Sequence, residues 1–189
     1  MQDVQRRSQK ERSDAMRSAL VKAARDLFVR DGFAATATPD IVARAGVTRG
    51  ALYHHFDDKH DLFAAVVRAE AEAVAAEIEA TEDPGLDPTT ALLRGGDTFL
   101  SAMSAEGRTR LLLIEAPAVL SPAQLTEIDS ATGGRTLEEG LRAAGVEPVR
   151  PLAALLSAAF DRAALAIDQG EPKELWQDAL QRIVRGITG

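Results

Sequence analysis

The segment at residues 46–56, GVTRGALYHHF, concentrates side chains that can bind a polar partner. It holds two of the three histidines and the only tyrosine of the chain, together with an arginine and a central glycine. An arginine can donate two parallel hydrogen bonds to guanine, and hydroxyl or imidazole groups can donate to phosphates. A glycine has no side chain, so it would let the backbone come close to the partner. The segment therefore indicates a surface that contacts DNA.

Helical spacing separates this segment into two faces. One face carries the residues that can contact DNA, which are Thr48, Arg49, Gly50, Tyr53 and His54. The other face carries the apolar residues expected to reach a core, which are Val47, Ala51, Leu52 and Phe56. We predict that Arg49 reads guanine or binds a phosphate, and that Gly50 allows close approach. Tyr53 and His54 would donate to phosphates.

Each of these assignments has a structural alternative. Arg49 could lie on an ordinary solvated surface, Tyr53 could belong to the core, and Gly50 could have no particular role. The three histidines lie within seven residues and could bind a metal. However, His54 and His55 are adjacent and should point apart on a helix. We therefore expect no metal site, and we favour DNA contact for the outward face.

Two helices are predicted before this segment. Apolar residues recur with helical spacing after Ser13, which can cap a helix, and Gly32 ends this first helix. Thr38 followed by Pro39 marks the start of the second helix, with Thr38 as its cap. The free N–H groups at that start could bind an anion such as a phosphate. Gly46 ends the second helix.

The turn at Gly46 joins two helices that are too short to be stable alone. Two short helices joined by a glycine turn are typical of a helix-turn-helix, whose second helix lies in the major groove of DNA. Thr48 is the predicted cap of this second helix. Asp58 caps a longer helix over residues 58–80, and Lys59 in its first turn could bind another phosphate.

The fold class predicted for the whole chain is all-α. No run alternates apolar and polar residues as a half-buried strand would. Beyond the loop TEDPGLDP, five further helices bring the total to about nine; they are predicted at residues 88–105, 107–119, 122–144, 149–169 and 172–187. Gly133 and Gly134 could interrupt the third of these. We predict two domains, residues 13–60 and residues 61–189.

The charge of the chain is unevenly distributed. The net charge is −7, but residues 1–60 contain eleven Lys and Arg against eight Asp and Glu. Residues 61–189 contain eleven Lys and Arg against twenty-one Asp and Glu. A basic head on an acidic body suits a head that binds phosphate, although chance variation of surface charge would look the same.

Several functional classes find no support in the sequence. Without cysteine there is no disulfide or thiolate site, and without a long apolar stretch there is no predicted membrane span. The charged N-terminus differs from a secretory signal, so we expect a cytoplasmic protein. No catalytic or phosphate-cradling motif occurs, and acidic pairs such as Glu138 and Glu139 fit a solvated helix. We expect neither an enzyme nor a cofactor. An adaptor or corepressor-dependent regulator that does not bind DNA alone stays as the alternative.

The stretch TPDIVARAGVTRGALYHHFDDKHDLF, residues 38–63, resembles the DNA-binding segment of the tetracycline-repressor (TetR) family of bacterial regulators. The match extends back to Ser13, and Pro39 departs from the polar residue that the family often has. The resemblance implies a homodimeric repressor that a small molecule releases from a palindromic operator. It also implies a helix-turn-helix domain over residues 13–60 and an effector-binding and dimerisation domain over residues 61–189. The residues that it assigns to DNA are Thr38, Arg44, Thr48, Arg49, Gly50, Tyr53, His54 and Lys59; Arg44 could also be solvated surface.

The resemblance says less about the C-terminal domain. It implies that a central apolar helix borders an effector cavity, with candidate lining residues Phe99, Met103, Leu112, Leu155 and Phe160. Ordinary core packing is the alternative for each of them. It also implies that the last two helices, which are rich in small residues, form the dimer interface. The acidic, aliphatic composition of this domain favours an apolar effector over a strongly anionic one.

Overall fold

The computed structural model describes the backbone of residues 2–189 and the side chains from residue 10 onward. Within that range the chain forms ten helices and no strand, which confirms the all-α prediction. They are α1 (Gln2–Ala35), α2 (Thr38–Ala45), α3 (Arg49–His55), α4 (Lys59–Glu79), α5 (Pro88–Met103), α6, α7 (Pro122–Ala131), α8 (Gly133–Ala143), α9 (Val149–Asp168) and α10 (Lys173–Thr188). Helix α6 runs without a break through Arg108–Arg110, the π-helical Leu111–Glu115 and Ala116–Val119.

The chain divides into two compact units inside α4. The first unit ends at Val67 and the second begins at Arg68. The boundary predicted from the sequence, after residue 60, lies two turns earlier. Leu62, Phe63 and Val66 of α4 are buried, and the first unit includes all three.

The core of the first unit is a cluster of apolar side chains from α1 to α4. Phe28 of α1 is buried and lies edge-on to Phe63 of α4, with ring centroids 5.1 Å apart. Phe33 packs against both rings, at 5.8 Å and 4.9 Å, as expected for a side chain that folds back on the core. Ile41 of α2 and Leu52 of α3 are fully buried and attach the two short helices to this cluster.

Two helix starts differ from the sequence prediction. Helix α1 begins at Gln2, so Ser13 lies inside it rather than at its cap. The residues before Ser13 include good helix formers and no Gly or Pro, so nothing in them stops the helix. In α2 the N-cap is Ala37, and no side chain caps this end. Thr38 is thus the first helical residue instead of the cap, a displacement of one position.

The second unit has its own apolar core, built mainly from α5, α9 and α10. Phe160 of α9 packs against Gly96 of α5 so closely that a Cβ at Gly96 would lie 2.5 Å from the ring. Phe99 adds an edge-on contact to the same ring at 5.7 Å. Leu180 and Val184 of α10 are buried in this cluster. Glycine at position 96 therefore sets how closely α5 and α9 can pack.

The helix predicted over residues 122–144 is two helices. Thr132, with φ −129° and ψ −114°, separates α7 from α8. A Cβ on Gly134 would lie 2.4 Å from the Asp129 carboxylate, so glycine allows this tight connection. The interruption foreseen at the glycine pair is therefore present, and it raises the helix count from about nine to ten.

A buried ion cluster joins α6 to α4 in the second unit. Arg108 donates from Nε to Glu70 at 3.0 Å and from one terminal nitrogen to Glu77 at 2.9 Å. The same nitrogen donates to the Ala102 carbonyl at 2.7 Å, and Arg108 and Glu70 are both buried. These bonds satisfy charges that would otherwise be costly to bury.

In the described part of the chain, no helix combines the length and the apolar composition that a membrane span requires.

Candidate nucleic-acid interface

The turn between α2 and α3 fixes the direction of α3. Gly46 adopts φ 67°, a left-handed conformation that glycine tolerates, and its N–H and that of Val47 donate to carbonyls in the last turn of α2. The Thr48 side chain then accepts a hydrogen bond from the Ala51 N–H at 3.2 Å, which confirms it as the cap of α3. This cap holds the first turn of α3 in place.

Helix α3 buries one side and exposes the other. Leu52 is fully buried and Phe56, directly after the helix, is 2% exposed, whereas Val47 and Ala51 are half-buried. The exposed side carries Thr48, Arg49, Gly50, Tyr53 and His54. These are the residues that the helical spacing assigned to the outward face.

The side chains on this exposed face are polar or absent. The Arg49 guanidinium lies 5.4 Å from the centroid of the Tyr53 ring, and Tyr53 is 46% exposed. At Gly50 a Cβ would meet only the Thr48 hydroxyl oxygen, at 3.9 Å. Packing inside the domain therefore gives no reason for a glycine here, which in a helix costs about 1 kcal/mol relative to alanine.

The other residues assigned to DNA differ in what they contact. Thr38 is half-buried at the first position of α2. Arg44 donates to one carboxylate oxygen of Asp26 in α1, from two nitrogens at 2.6 Å and 3.1 Å. Lys59 donates to backbone carbonyls at the end of α1. The sequence could not reveal these partners, because they lie 18 or more positions away in the chain.

Residues 20–66 of this chain match the family model for bacterial regulatory proteins of the tetR family. This part of the chain is therefore similar to the DNA-binding segment of that family. The HTH-type transcriptional regulator AcrR of Shigella flexneri is 35% identical over 110 residues, which cover 57% of this chain and 50% of that protein. The HTH-type transcriptional repressor BepR of Brucella suis biovar 1 is 41% identical over 51 residues, or 27% of this chain and 24% of that protein.

A solved structure extends the similarity beyond the matched residues 20–66. A transcriptional regulator from Rhodococcus sp. Rha1 is 28% identical, with a TM-score of 0.71 over 90% of this chain and 95% of that one. The chain spans, in contrast, about half the length of AcrR and about a quarter of the length of BepR. All three similar proteins are regulators of transcription, which agrees with the expectation that this chain is not an enzyme.

His54 and His55 lie closer together than the sequence predicted. The ring centroids of His54 and His55 are 5.1 Å apart in an edge-on arrangement, so the expectation that these side chains point apart is wrong. His60 lies elsewhere, 4.9 Å from the Phe33 ring. Among the described residues, no three His, Asp or Glu side chains converge as metal ligands would.

The five residues suggested for effector binding do not form one group. Met103 and Phe160 are buried in the core of the second unit, and Phe99 and Leu112 pack against it. Leu155 is 70% exposed and lies on the opposite, solvent-facing side of α9. An open groove of about 470 Å³ lies between α5 and α10, its lining includes Leu93, Arg94 and Asp97, and none of the five residues lines it.

Helices α9 and α10 each expose apolar or small side chains. Leu155 of α9 is 70% exposed and Leu175 of α10 is 68% exposed, followed by Ile183 at 47%. Ala158 and Ala179 lie on the same exposed sides at helical spacing from these residues. Large apolar side chains are normally covered when several of them cluster on a surface.

One carboxylate in this unit is in an unfavourable environment. Burial, together with the negative charge of Asp129, raises the pKa of Asp161 on α9 from 3.8 to about 6. The desolvated carboxylate therefore binds a proton more readily than an aspartate in water.

Proposed function

We propose that this chain is a homodimeric, sequence-specific DNA-binding repressor that a small-molecule effector releases from a palindromic operator. The first unit, which corresponds to the predicted domain at residues 13–60, would bind DNA. The second unit would bind the effector and form the dimer. A regulator of this kind acts in the cytoplasm, where its DNA is.

The observation that carries the proposal is the exposed polar face of α3. Helix α3 has seven residues; it buries Leu52 and is followed by the buried Phe56. Its other side presents Arg49, Gly50 and Tyr53 to solvent. A short helix held by one apolar side can enter a major groove about 12 Å wide with its other side. The glycine, which the domain itself does not need, would allow that side to approach the DNA.

Charge supports the same role for the first unit. Residues 1–60 carry an excess of basic over acidic side chains, while the rest of the chain carries a large acidic excess. The DNA phosphates would attract the basic residues 1–60 and repel the acidic rest of the chain. The named function of the relative BepR, a transcriptional repressor, supports repression as the direction of regulation.

The residues proposed to contact DNA fall into two groups. Arg49 would read a base, and the helix starts at Thr38 and Thr48, with the side chains of Tyr53 and His54, would bind phosphates. Gly50 would allow close approach. Arg44 has Asp26 as its partner in the free protein, and its guanidinium has further N–H groups with which to reach a phosphate. Lys59 is treated separately below.

The exposed apolar sides of α9 and α10 support a dimer through the last two helices. Two copies that bring these sides together would cover Leu155 and Leu175, and the small residues between them would allow close helix packing. A two-fold dimer presents two copies of α3, so its operator would have two related half-sites about one helical turn apart.

The apolar core of the second unit supports a small-molecule effector. Phe99, Met103, Leu112 and Phe160 form a mainly apolar environment with few polar groups. An effector that inserts among them would itself be mainly apolar. Leu155 would contribute to the dimer interface instead.

Selection of bound sequences from random duplex DNA with the purified protein tests the proposal. We expect an enriched palindrome, whose sequence would then identify operators and candidate target genes. No enrichment, even at low salt, would contradict a regulator that binds DNA alone. That result would favour the alternative, a helical adaptor or a regulator that needs a corepressor.

A further inference from the structure

Lys59, the first residue of α4, directs its ammonium group to the end of α1. Its Nζ donates hydrogen bonds to the carbonyl oxygens of Phe33 at 2.8 Å and Thr36 at 3.0 Å. The same nitrogen lies 4.2 Å from the centroid of the Phe33 ring, and the side chain is half-buried. The positive charge that the sequence assigned to a DNA phosphate is therefore engaged inside the domain.

The end of α1 needs such a donor because the helix is broken there. Gly32 has φ 81° and ψ 162°, so the chain leaves the helical path. Carbonyls at a helix end lack partners in a next turn and need other donors. The buried Thr36 hydroxyl lies 2.8 Å from the Gly32 carbonyl oxygen and 3.3 Å from that of Leu27. Lys59 supplies hydrogen bonds to two further carbonyls, and its charge complements the negative end of the helix dipole.

The ammonium group has little capacity left for a phosphate. It has three N–H donors, of which two are used, and the face of the Phe33 ring attracts the cation as well. A tight contact with a phosphate would require Lys59 to leave at least one of these partners. Each bond to a charged donor is stronger than a neutral one, so leaving it is unfavourable.

Lys59 connects the two segments that flank the helix-turn-helix. On one side, residues 33–37 lead into α2 at Thr38. On the other side, α4 follows α3 through the buried Phe56, and the Asp58 carboxylate fixes its start by accepting from the Asp61 N–H at 2.8 Å. A bond between these two segments restrains both ends of the motif at once.

We propose that Lys59 is a positioning residue, which holds the α1–α2 connection against the start of α4 and so sets the placement of α3 without contacting a phosphate. The effect on DNA binding rests on the function proposed above. The effect on the free protein is independent of that function, because it concerns contacts within the domain.

The variant Lys59→Met tests this role, because it keeps most of the side-chain stem and removes the ammonium. Its affinity for the selected operator duplex would be measured over a range of KCl concentrations, well below the unfolding midpoint of both proteins. We expect roughly tenfold weaker binding, since bonds from a charged donor are lost. We also expect the slope of log K against log salt to stay the same. A direct phosphate contact would instead reduce that slope by about 0.9.

Hydrogen exchange in the absence of DNA gives an independent measurement. The backbone amides of α2 should exchange faster in Lys59→Met than in the wild type. Lys173→Met, which removes a lysine from α10, is the control for the loss of one charge and should change neither the exchange of α2 nor the salt slope.

Three results would overturn the proposal. The first is a reduced salt slope, which would make Lys59 a phosphate contact. The second is unchanged affinity, and the third is unchanged exchange in α2. If the wild-type protein selects no DNA, the proposed function fails on its own, and the exchange of α2 amides still decides whether Lys59 positions the motif.

Discussion

Gly50 is a residue whose identity packing within the domain does not explain and the proposed DNA binding does. A Cβ at this position would meet only the Thr48 hydroxyl at 3.9 Å, so alanine fits the free protein. Gly50→Ala should therefore raise the free energy of unfolding by about 0.5–1 kcal/mol, because alanine favours the helix. It should weaken operator binding, because the added methyl group would stand between α3 and the groove. Chemical denaturation and a DNA titration measure the two effects.

Gly95→Ala is a matched control for this substitution. Gly95 lies inside α5, and a Cβ there would make an ordinary contact with Ile78 at 3.6 Å. This variant should also gain stability but should bind the operator like the wild type. If Gly50→Ala binds DNA as tightly as the wild type, close approach at this residue is contradicted.

Arg49 is the side chain proposed to read a base. Arg49→Ala should weaken operator binding by about 1–3 kcal/mol and relax the preference at one base pair, if the guanidinium binds guanine. Titrations with the operator and with a duplex changed at that base pair measure both effects. An equal loss on the two duplexes would indicate a phosphate contact, and no loss on either would exclude Arg49 from the interface.

The sequence identified which residues of α3 are exposed, but not what every cation contacts. Helical spacing depends only on near neighbours, so it separated Arg49 and Tyr53 from Leu52 correctly. The bond from Arg44 to Asp26 depends on how α2 crosses α1. The contacts of Lys59 depend on the break at Gly32. Such partners follow from tertiary packing, which single-sequence periodicity does not contain.

At the scale of elements, the contact between α5 and α9 is the most sensitive to a small change. A Cβ on Gly96 would lie 2.5 Å and 2.8 Å from two atoms of the Phe160 ring. Gly96→Ala should therefore lower the free energy of unfolding by about 1–3 kcal/mol, as overpacked cores do. Denaturant titration measures this loss, and Gly95→Ala in the same helix serves again as the control.

A second substitution shows whether the Phe160 ring causes the loss of stability expected for Gly96→Ala. Phe160→Leu alone leaves a cavity and should also destabilise the protein. If the ring causes the clash, the double variant should be more stable than the sum of the two separate losses implies. Strict additivity would show that alanine at position 96 disturbs something other than this contact.

The elements themselves were largely predictable, and the errors fall at their ends. Glycine and proline mark most of the helix boundaries. Both Gly32 and Gly46 adopt a positive φ: Gly46 ends α2 as predicted, whereas α1 breaks at Gly32 and continues to Ala35. The caps were less certain, because a hydroxyl such as Thr38 fits both the cap and the first helical position. The break at Thr132 depends on how α7 meets α8, so the glycine pair could only indicate that a break was possible.

At the scale of the whole molecule, the proposed dimer is the property on which the proposed operator recognition depends. Leu155→Glu would place a charge on the exposed side of α9 that is proposed to meet the second copy. We expect a monomer in sedimentation experiments at micromolar concentration, with much weaker operator binding, because burying an unpaired charge is costly. Ile114→Glu is the control, since Ile114 of α6 is also exposed, at 50%, but lies outside α9 and α10. If Leu155→Glu still forms a dimer, the interface does not include the exposed side of α9.

The stability of the protein should also depend on the protonation of Asp161. Its pKa is raised from 3.8 to about 6, first by burial and then by the charge of Asp129, so the folded state binds the proton more tightly than the unfolded state. Stability should therefore increase as the pH falls from 7 through 6 towards 5. Asp161→Asn removes the titrating group, so it should raise the melting temperature at pH 7 and flatten this part of the profile.

Asp168→Asn, at the exposed end of the same helix, is the control and should keep the wild-type profile. Melting temperatures measured between pH 5 and pH 8 compare the three proteins, and a wild-type profile in Asp161→Asn would assign the pH dependence to other groups.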